Sequence, residues 1–308
     1  MTYSIVARDP ATGAIGVAVE SHYFGVGRVV TWAESGVGAV ATQSVPETAY
    51  GPRGIELMRS GSSARSALET LVAGDPQRPV RQVAMIDASG EVAVHTGELC
   101  LAEAGHATGH QVSAQANLME KPTVWAAMLH AFEARAGEDL PSRLLAALDA
   151  AEGEGGDLRG KQSAAMLVVS GTRSDAPWDQ RLVDLRVDDH PDPLEELRRL
   201  LELSSAFDRL AKLFVGGLLF GPIAAEATEL QRALSELDTT QGVLEPNREP
   251  TFWQAVLLAK AGRLEEARRK LAHACDTNPR WSSLVARLAP SGILPPGHPW
   301  LAKENVKP

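Results

Sequence analysis

The chain has 308 residues, a net charge of −9 at neutral pH, 44% apolar and 22% charged residues. Its two signs of charge are interspersed, so nucleic acid and anionic lipid, which both call for a basic face, are disfavoured as main partners. The length suits one large domain or two ordinary ones, and the composition is that of a globular protein.

The opening MTYSIVARDPATGAIGVAVES reads as a hairpin. Tyr3 to Ala7 and Ala14 to Val19 are β-rich, and Asp9-Pro10-Ala11-Thr12-Gly13 is a turn cluster between them. Further strands are expected over Arg28 to Trp32 and over Gly36 to Ser44. Two helices follow, Gly51 to Ser60 and Ala64 to Ala73. RQVAMID-ASG-EVAVHTG is a second hairpin, with Val83 and Met85 (or Ala84 and Ile86) alternating against Val92 and Val94. AGHATGHQ reads as a loop, and its His106 and His110 as loop residues in preference to metal ligands. A strand over Gln111 to Leu118 leads into helices Thr123 to Ala136 and Pro141 to Glu152, and strands Ser163 to Ser170 and Leu182 to Val187 end this half. Asp188-Asp189-His190 reads as a polar turn feeding the next helix. Strands joined as hairpins, with helices in pairs, predict an α+β design of antiparallel sheets with helices on their outer faces.

After Pro191 no strand is expected. A long amphipathic helix begins at Asp192-Pro193 with Leu194, Leu197 and Leu201 on one stripe. EPTFWQAVLLAKAGRLEEARRKLAHACDTNP gives two helices broken at Gly262. Gly262, Leu264, Ala267, Leu271, Ala274 and Pro279 fall at the offsets of one tetratricopeptide repeat, whose period is about 34 residues. A single copy must lean on the preceding helices or on another chain. The expected division is residues 1–205 and 206–308, the second a helical accessory region that could carry homo-oligomer or protein-partner contacts. Phe214, Leu218, Leu219, Phe220, Trp253 and Trp281 supply its large apolar surface.

Cys100 and Cys275 are far apart in sequence and fit buried thiols of a reducing compartment. Arg8 and Asp9 interrupt any signal-peptide pattern. The run Leu213 to Ala225 falls short of the roughly 20 residues a membrane span needs. Together these predict a cytoplasmic protein. No Walker loop, G-x-S-x-G elbow or H-E-x-x-H motif occurs.

Thr2 is the residue that points to chemistry. If Met1 is removed, Thr2 carries the chain's α-amino group beside its own hydroxyl. An α-amine titrates near 7.7–8.0 in general, so a useful neutral fraction can take the hydroxyl proton, and one residue serves as nucleophile and base.

MTYSIVARDPATGAIGVAVES, GVGAVATQSVPETAYGPRGIELMRSG, RQVAMIDASGEVAVHTG, SAQANLM, GGDLRGKQSAAMLVV and VDLRVDDHPDPLEELRRLL together resemble domain-of-unknown-function family 1028 of the Ntn-hydrolase superfamily, from residue 1 to about 200. The PETAYG segment departs from that pattern at Glu47-Thr48. The resemblance implies a four-layer αββα sandwich and a Thr2 nucleophile acting on a small amide, with no metal or organic cofactor. Under that reading Asn117, Lys161 and Gln162 join Thr2 as catalytic candidates. Gln43, Asp157, Arg159, Ser163 and His22 are substrate-binding candidates, and Arg28 an entrance residue. The alternative is a non-catalytic Ntn-fold scaffold acting through the helical tail.

Overall fold

The opening hairpin forms as its sequence dictates. β1 (Thr2–Arg8) and β2 (Ile15–Ser21) pair antiparallel with Tyr3 opposite Glu20 and Arg8 opposite Ile15. Asp9 organises the turn by accepting from Thr12 Oγ1 at 2.6 Å. The structure, a computed structural model, describes residues 2–215, 217–221 and 227–301. Its contacts divide the chain into two units, Met1–Leu201 and Glu202–Pro308.

In the first unit the chain continues through α1 (Gly27–Val30), β3 (Thr31–Glu34), β4 (Gly38–Ser44), α2 (Tyr50–Arg59), α3 (Ala64–Ala73), β5 (Arg81–Asp87) and β6 (Val92–Thr96). It then runs through β7 (Gly105–Gly109), β8 (Val112–Asn117), α4 (Val124–Ala134), α5 (Leu140–Gly153), β9 (Ser163–Val169) and β10 (Arg181–Val187). Among the described residues one antiparallel sheet has the order β10-β9-β2-β1-β8-β7 and the other β3-β4-β5-β6.

The period of two along each strand sorts side chains between layers. Val6, Ile15 and Val17 meet Ala41, Ala84 and Ile86 between the two sheets. Tyr3, Ile5 and Ala18, one residue out of phase, pack with Met128, Leu144 and Leu148 of α4 and α5. On the smaller sheet Val40, Val83 and Met85 pack with Ile55, Met58 and Leu68 of α2 and α3. The two alternations open in the 81–96 hairpin are therefore both used, one on each face. The architecture is the expected mixed α+β arrangement of antiparallel sheets.

Two local expectations are corrected. The residues expected as a strand over Arg28 to Trp32 begin as the helical turn α1, and only Thr31 and Trp32 are in β3. Gly27 permits this: a Cβ there would stand 2.5 Å from the Ala165 Cβ, so α1 presses onto β9 only because the side chain is missing. AGHATGHQ is not a loop but contains the edge strand β7, turning at Gln111 (φ 60°) into β8. Glycines stand at both ends of β7, where Trp125, Leu129 and Glu133 of α4 come close, so the strand has no apolar alternation to read.

α6 (Pro193–Val215) runs across the division, and its Leu194 and Leu197 belong to the first unit's core. The second unit is helical, with α7 (Ala227–Leu244), α8 (Glu249–Lys260), α9 (Leu264–Cys275) and α10 (Arg280–Val285). Gly262, at φ 76°, makes the break between α8 and α9. Their faces meet Leu230, Leu234 and Leu237 of α7 and Val285 of α10 in one cluster, and Phe252 stacks on Trp281 at 5.0 Å. Leu219 is buried while Phe220 is exposed; part of the run Leu213 to Ala225 lies outside the described residues. Cys275 is buried and Cys100 half-buried, both as free thiols. No described helix is long and apolar enough to cross a membrane.

Candidate functional site

Thr2 begins β1, the strand between β2 and β8, and the β1–β8 ladder holds its backbone. Asn117 of β8 is its cross-strand partner. Its Oγ1 lies 3.0 Å from Ser21 Oγ, and the residue is only 6% exposed. Because Thr2 and Ser4 are in phase with Val6, they share the face of β1 that looks toward the other sheet.

A buried polar network underlies that face. Gln43 Nε2 donates to the Thr2 carbonyl at 3.3 Å and to Gln82 Oε1 at 2.7 Å. Asn117 Nδ2 donates to the same Gln82 oxygen at 2.8 Å and lies 3.4 Å from the Thr2 carbonyl. Ser4 Oγ donates to Gln43 Oε1 and accepts from Gln115 Nε2, at 2.6 and 2.7 Å. Such buried amides and hydroxyls are tolerated because they bond one another, and they fix one geometry in doing so. The network thus holds the Thr2 backbone from below.

In front of Thr2 is a cavity of about 240 Å³. Its polar lining is Thr2, Ser21, Gln43, Ser44 and Arg159. The remainder is apolar: Tyr23, Val26, Val29, Val30, Val45 and Pro46. Ser44, the last residue of β4, has φ 73°, a left-handed conformation that non-glycine residues adopt at some energetic cost and that recurs at functional sites. Arg159 is anchored by Asp157, with Nη2 to Oδ2 at 2.8 Å and Nε to Oδ1 at 3.1 Å. The Asp157 side chain is wholly buried. Burial alone would raise its carboxyl, but the Arg159 side-chain and backbone hydrogen bonds outweigh that and hold it below the usual carboxylate range. Asp157 Oδ2 also accepts from the His22 backbone at 3.3 Å.

Residues 2–197 match the family of unknown function DUF1028. The chain belongs to that family. A solved structure of the same family, protein SPO2555 from Silicibacter pomeroyi, is 36% identical to it, with a TM-score of 0.58 over 65% of this chain and 88% of that one. A search of curated proteins finds no match.

Within this DUF1028 chain the sequence-derived candidates separate into groups. Thr2, Gln43 and Arg159 line one cavity, with Asp157 behind Arg159. Asn117 is fully buried beside Thr2 and outside the cavity lining, where it supports the backbone. Ser163 Oγ donates to the Tyr23 carbonyl and accepts from the Val26 backbone at 3.0 Å, so it shapes the wall segment. The His22 side chain is exposed, and Arg28 is exposed. Lys161 ion-pairs with Glu152 at 3.6 Å and Asp192 at 3.4 Å. Glu152 also accepts from the Tyr3 hydroxyl, which belongs to the helix-covered face of β1. Those two carboxylates raise the Lys161 ammonium pKa, outweighing burial, which lowers it. The Gln162 side chain donates to Asp189 at 3.1 Å. Lys161 and Gln162 therefore make these bonds away from the Thr2 cavity.

Ser21, Ser44, Gln82 and the valine wall escaped the sequence reading. Gln115 did carry a signal, being an amide inside a strand whose neighbours, Ala114 and Ala116, are both apolar; Gln82 follows Arg81 and carried less. His106 Nδ1 bonds Thr96 Oγ1 at 2.9 Å. Among the described residues no group of three or more His, Cys, Asp or Glu is arranged to hold a metal ion.

Proposed function

We propose that this DUF1028 chain is an Ntn-type amidohydrolase that uses Thr2 as nucleophile on a small amide. The observation that carries the proposal is the Thr2 hydroxyl, on a strand laddered to β8 and lining a cavity of about 240 Å³. The order of the layers, helix pair, six-stranded sheet, four-stranded sheet, helix pair, is that expected of an αββα Ntn sandwich and supports the reading. Met1 lies outside the described residues, and its removal is part of the proposal.

The Thr2 α-amine takes the proton of Oγ1 as the oxygen attacks the amide carbon. The tetrahedral intermediate collapses when that proton passes to the leaving nitrogen and the C–N bond breaks. An acyl ester on Thr2 remains, and water, deprotonated by the same amine, hydrolyses it to the free acid. Ser21 Oγ orients the nucleophile, and the Arg159 guanidinium, fixed by Asp157, supplies charge-assisted donors at the cavity wall. No metal or organic cofactor is needed for this sequence of steps. In purified full-length protein, Thr2→Ser should retain activity. Thr2→Ala should lose at least about 1,000-fold in kcat with an unchanged circular dichroism spectrum. A Thr2→Ala variant as fast as the parent would refute the mechanism.

The second unit supports an accessory role. Its α8–α9 hairpin, closed by Gly262, supports a tetratricopeptide-like reading, and a cavity of about 460 Å³ at Arg280, Trp281 and Arg287 gives it a surface of its own. If that surface is the functional one, the chain is a binding protein on an Ntn scaffold. Partner capture that survives Thr2→Ala but fails in Trp281→Ala, in the absence of any hydrolysis, would support this second reading.

A further inference from the structure

The cavity beside Thr2 has an uneven chemistry. Val26, Val29 and Val30, from and next to α1, form one wall, and Val45 faces the cavity from the segment after β4. Valine is stiff at χ1, so these walls have a fixed shape. Among the described residues Arg159 is the one charged side chain lining the cavity, and Asp157 already lies against its guanidinium. The side chains around the acyl wall therefore offer little net charge to an acyl group. At about 240 Å³ the cavity is smaller than the roughly 300–1,000 Å³ of pockets for drug-sized ligands. Tyr23, Val45 and Pro46 are exposed and mark the open side.

Resting on the reading of Thr2 as nucleophile, we infer that the substrates are amides of short, uncharged, branched aliphatic acyl groups of about four to six carbons. The acyl chain lies among the valines with its carbonyl at Thr2 Oγ1. The amine portion leaves past Tyr23 and Pro46. The covalent step forms an ester between Oγ1 and the acyl carbon and breaks the C–N bond, with the hydroxyl proton leaving on the amine. Water then releases a branched carboxylic acid and restores Oγ1–H.

The test uses full-length protein and a p-nitroanilide series: acetyl, butyryl, isovaleryl, octanoyl and succinyl. The expected kcat/KM for isovaleryl is about 1,000-fold above acetyl, in line with about 10-fold for each of its three additional, well-fitted carbons. Octanoyl and succinyl should fall at least about 10-fold below isovaleryl, the one by length and the other by its unpaired charge. Val29→Phe fills the wall and should lower the isovaleryl-to-acetyl ratio about 10-fold; Val45→Phe at the rim does the same if the first variant folds poorly. A second arm follows binding of isovaleramide and acetamide to Thr2→Ala by saturation-transfer NMR. Hydrolysis with a flat order, or one led by succinyl, overturns the acyl class and leaves the nucleophile standing. Isovaleramide binding that Val29→Phe abolishes, without hydrolysis of any anilide by the parent, supports the acyl class and overturns the hydrolase. The absence of both hydrolysis and binding overturns the acyl class.

Discussion

Glu20 shows how much individual side chains depend on their layer. It stands opposite Tyr3, fully buried, and neither of its oxygens has a hydrogen bond of good geometry. Burial first, then the Glu152 carboxylate, push its pKa well above the carboxylate range; the Tyr3 hydroxyl pulls it down, and Asp157 raises it more than the Gln162 backbone amide lowers it. A carboxyl raised in the folded state leaves stability intact below its unfolded pKa, about 4.3. That stability is lost as pH rises from there toward the folded value, because the unfolded chain ionises first. Glu20→Gln should therefore gain stability relative to the parent as pH increases from 5 to 8, by at most about 1.4 kcal/mol per pH unit. Urea titrations at several pH values check this. A constant difference between the two proteins would mean that Glu20 is ionised in the fold. Thr2 stands out at this same scale because one residue can combine amine and hydroxyl. Ser21 and Gln82 do not, since a serine or an amide acquires meaning only from the strand laid beside it.

At the scale of elements, α1 decides the shape of the cavity. Its backbone reaches β9 because Gly27 has no side chain, and from there Val29 and Val30 face the site. Gly27→Ala would set a Cβ against Ala165 and should destabilise the protein by about 1–3 kcal/mol. It should also move the acyl-length preference while Thr2 remains acylable. Thermal melts and the anilide series measure the two effects, and an unaltered melt with unaltered preference would detach α1 from the site. Long alternating or helical patterns such as β5, α3 and α4 were readable, because period and burial agree in them. α1 and β7 were not, for a physical reason. α1 is four residues long and held by a close approach to another strand, and β7 is a glycine-bounded edge whose partners are distant in sequence. Lys161 and Gln162 come just before β9, which begins at Ser163, as the sequence suggests. Which face their side chains would choose depended on Glu152, Asp189 and Asp192, and that is not visible in a linear motif.

For the molecule as a whole, the first unit's apolar cluster draws on residues no later than Leu201, while the helical unit has its own cluster from Leu210 to Trp300. Each cluster is large enough to be a separate core, so a chain ending at Ala206 should fold, melt cooperatively and keep whatever hydrolysis Thr2 supports. Circular dichroism and the anilide assay test this. An unfolded product would make the helical unit part of the first unit's stability. The central claim, a Thr2 that is both chain terminus and nucleophile, is tested most directly by the mass of the N-terminal peptide after the full-length protein is treated with the β-lactone of 3-hydroxyisovaleric acid. The account predicts a peptide that starts at Thr2 and carries one 3-hydroxyisovaleryl ester on that residue, formed by ring opening, with no such adduct on Thr2→Ala. A peptide that retains Met1 and stays unmodified would contradict it.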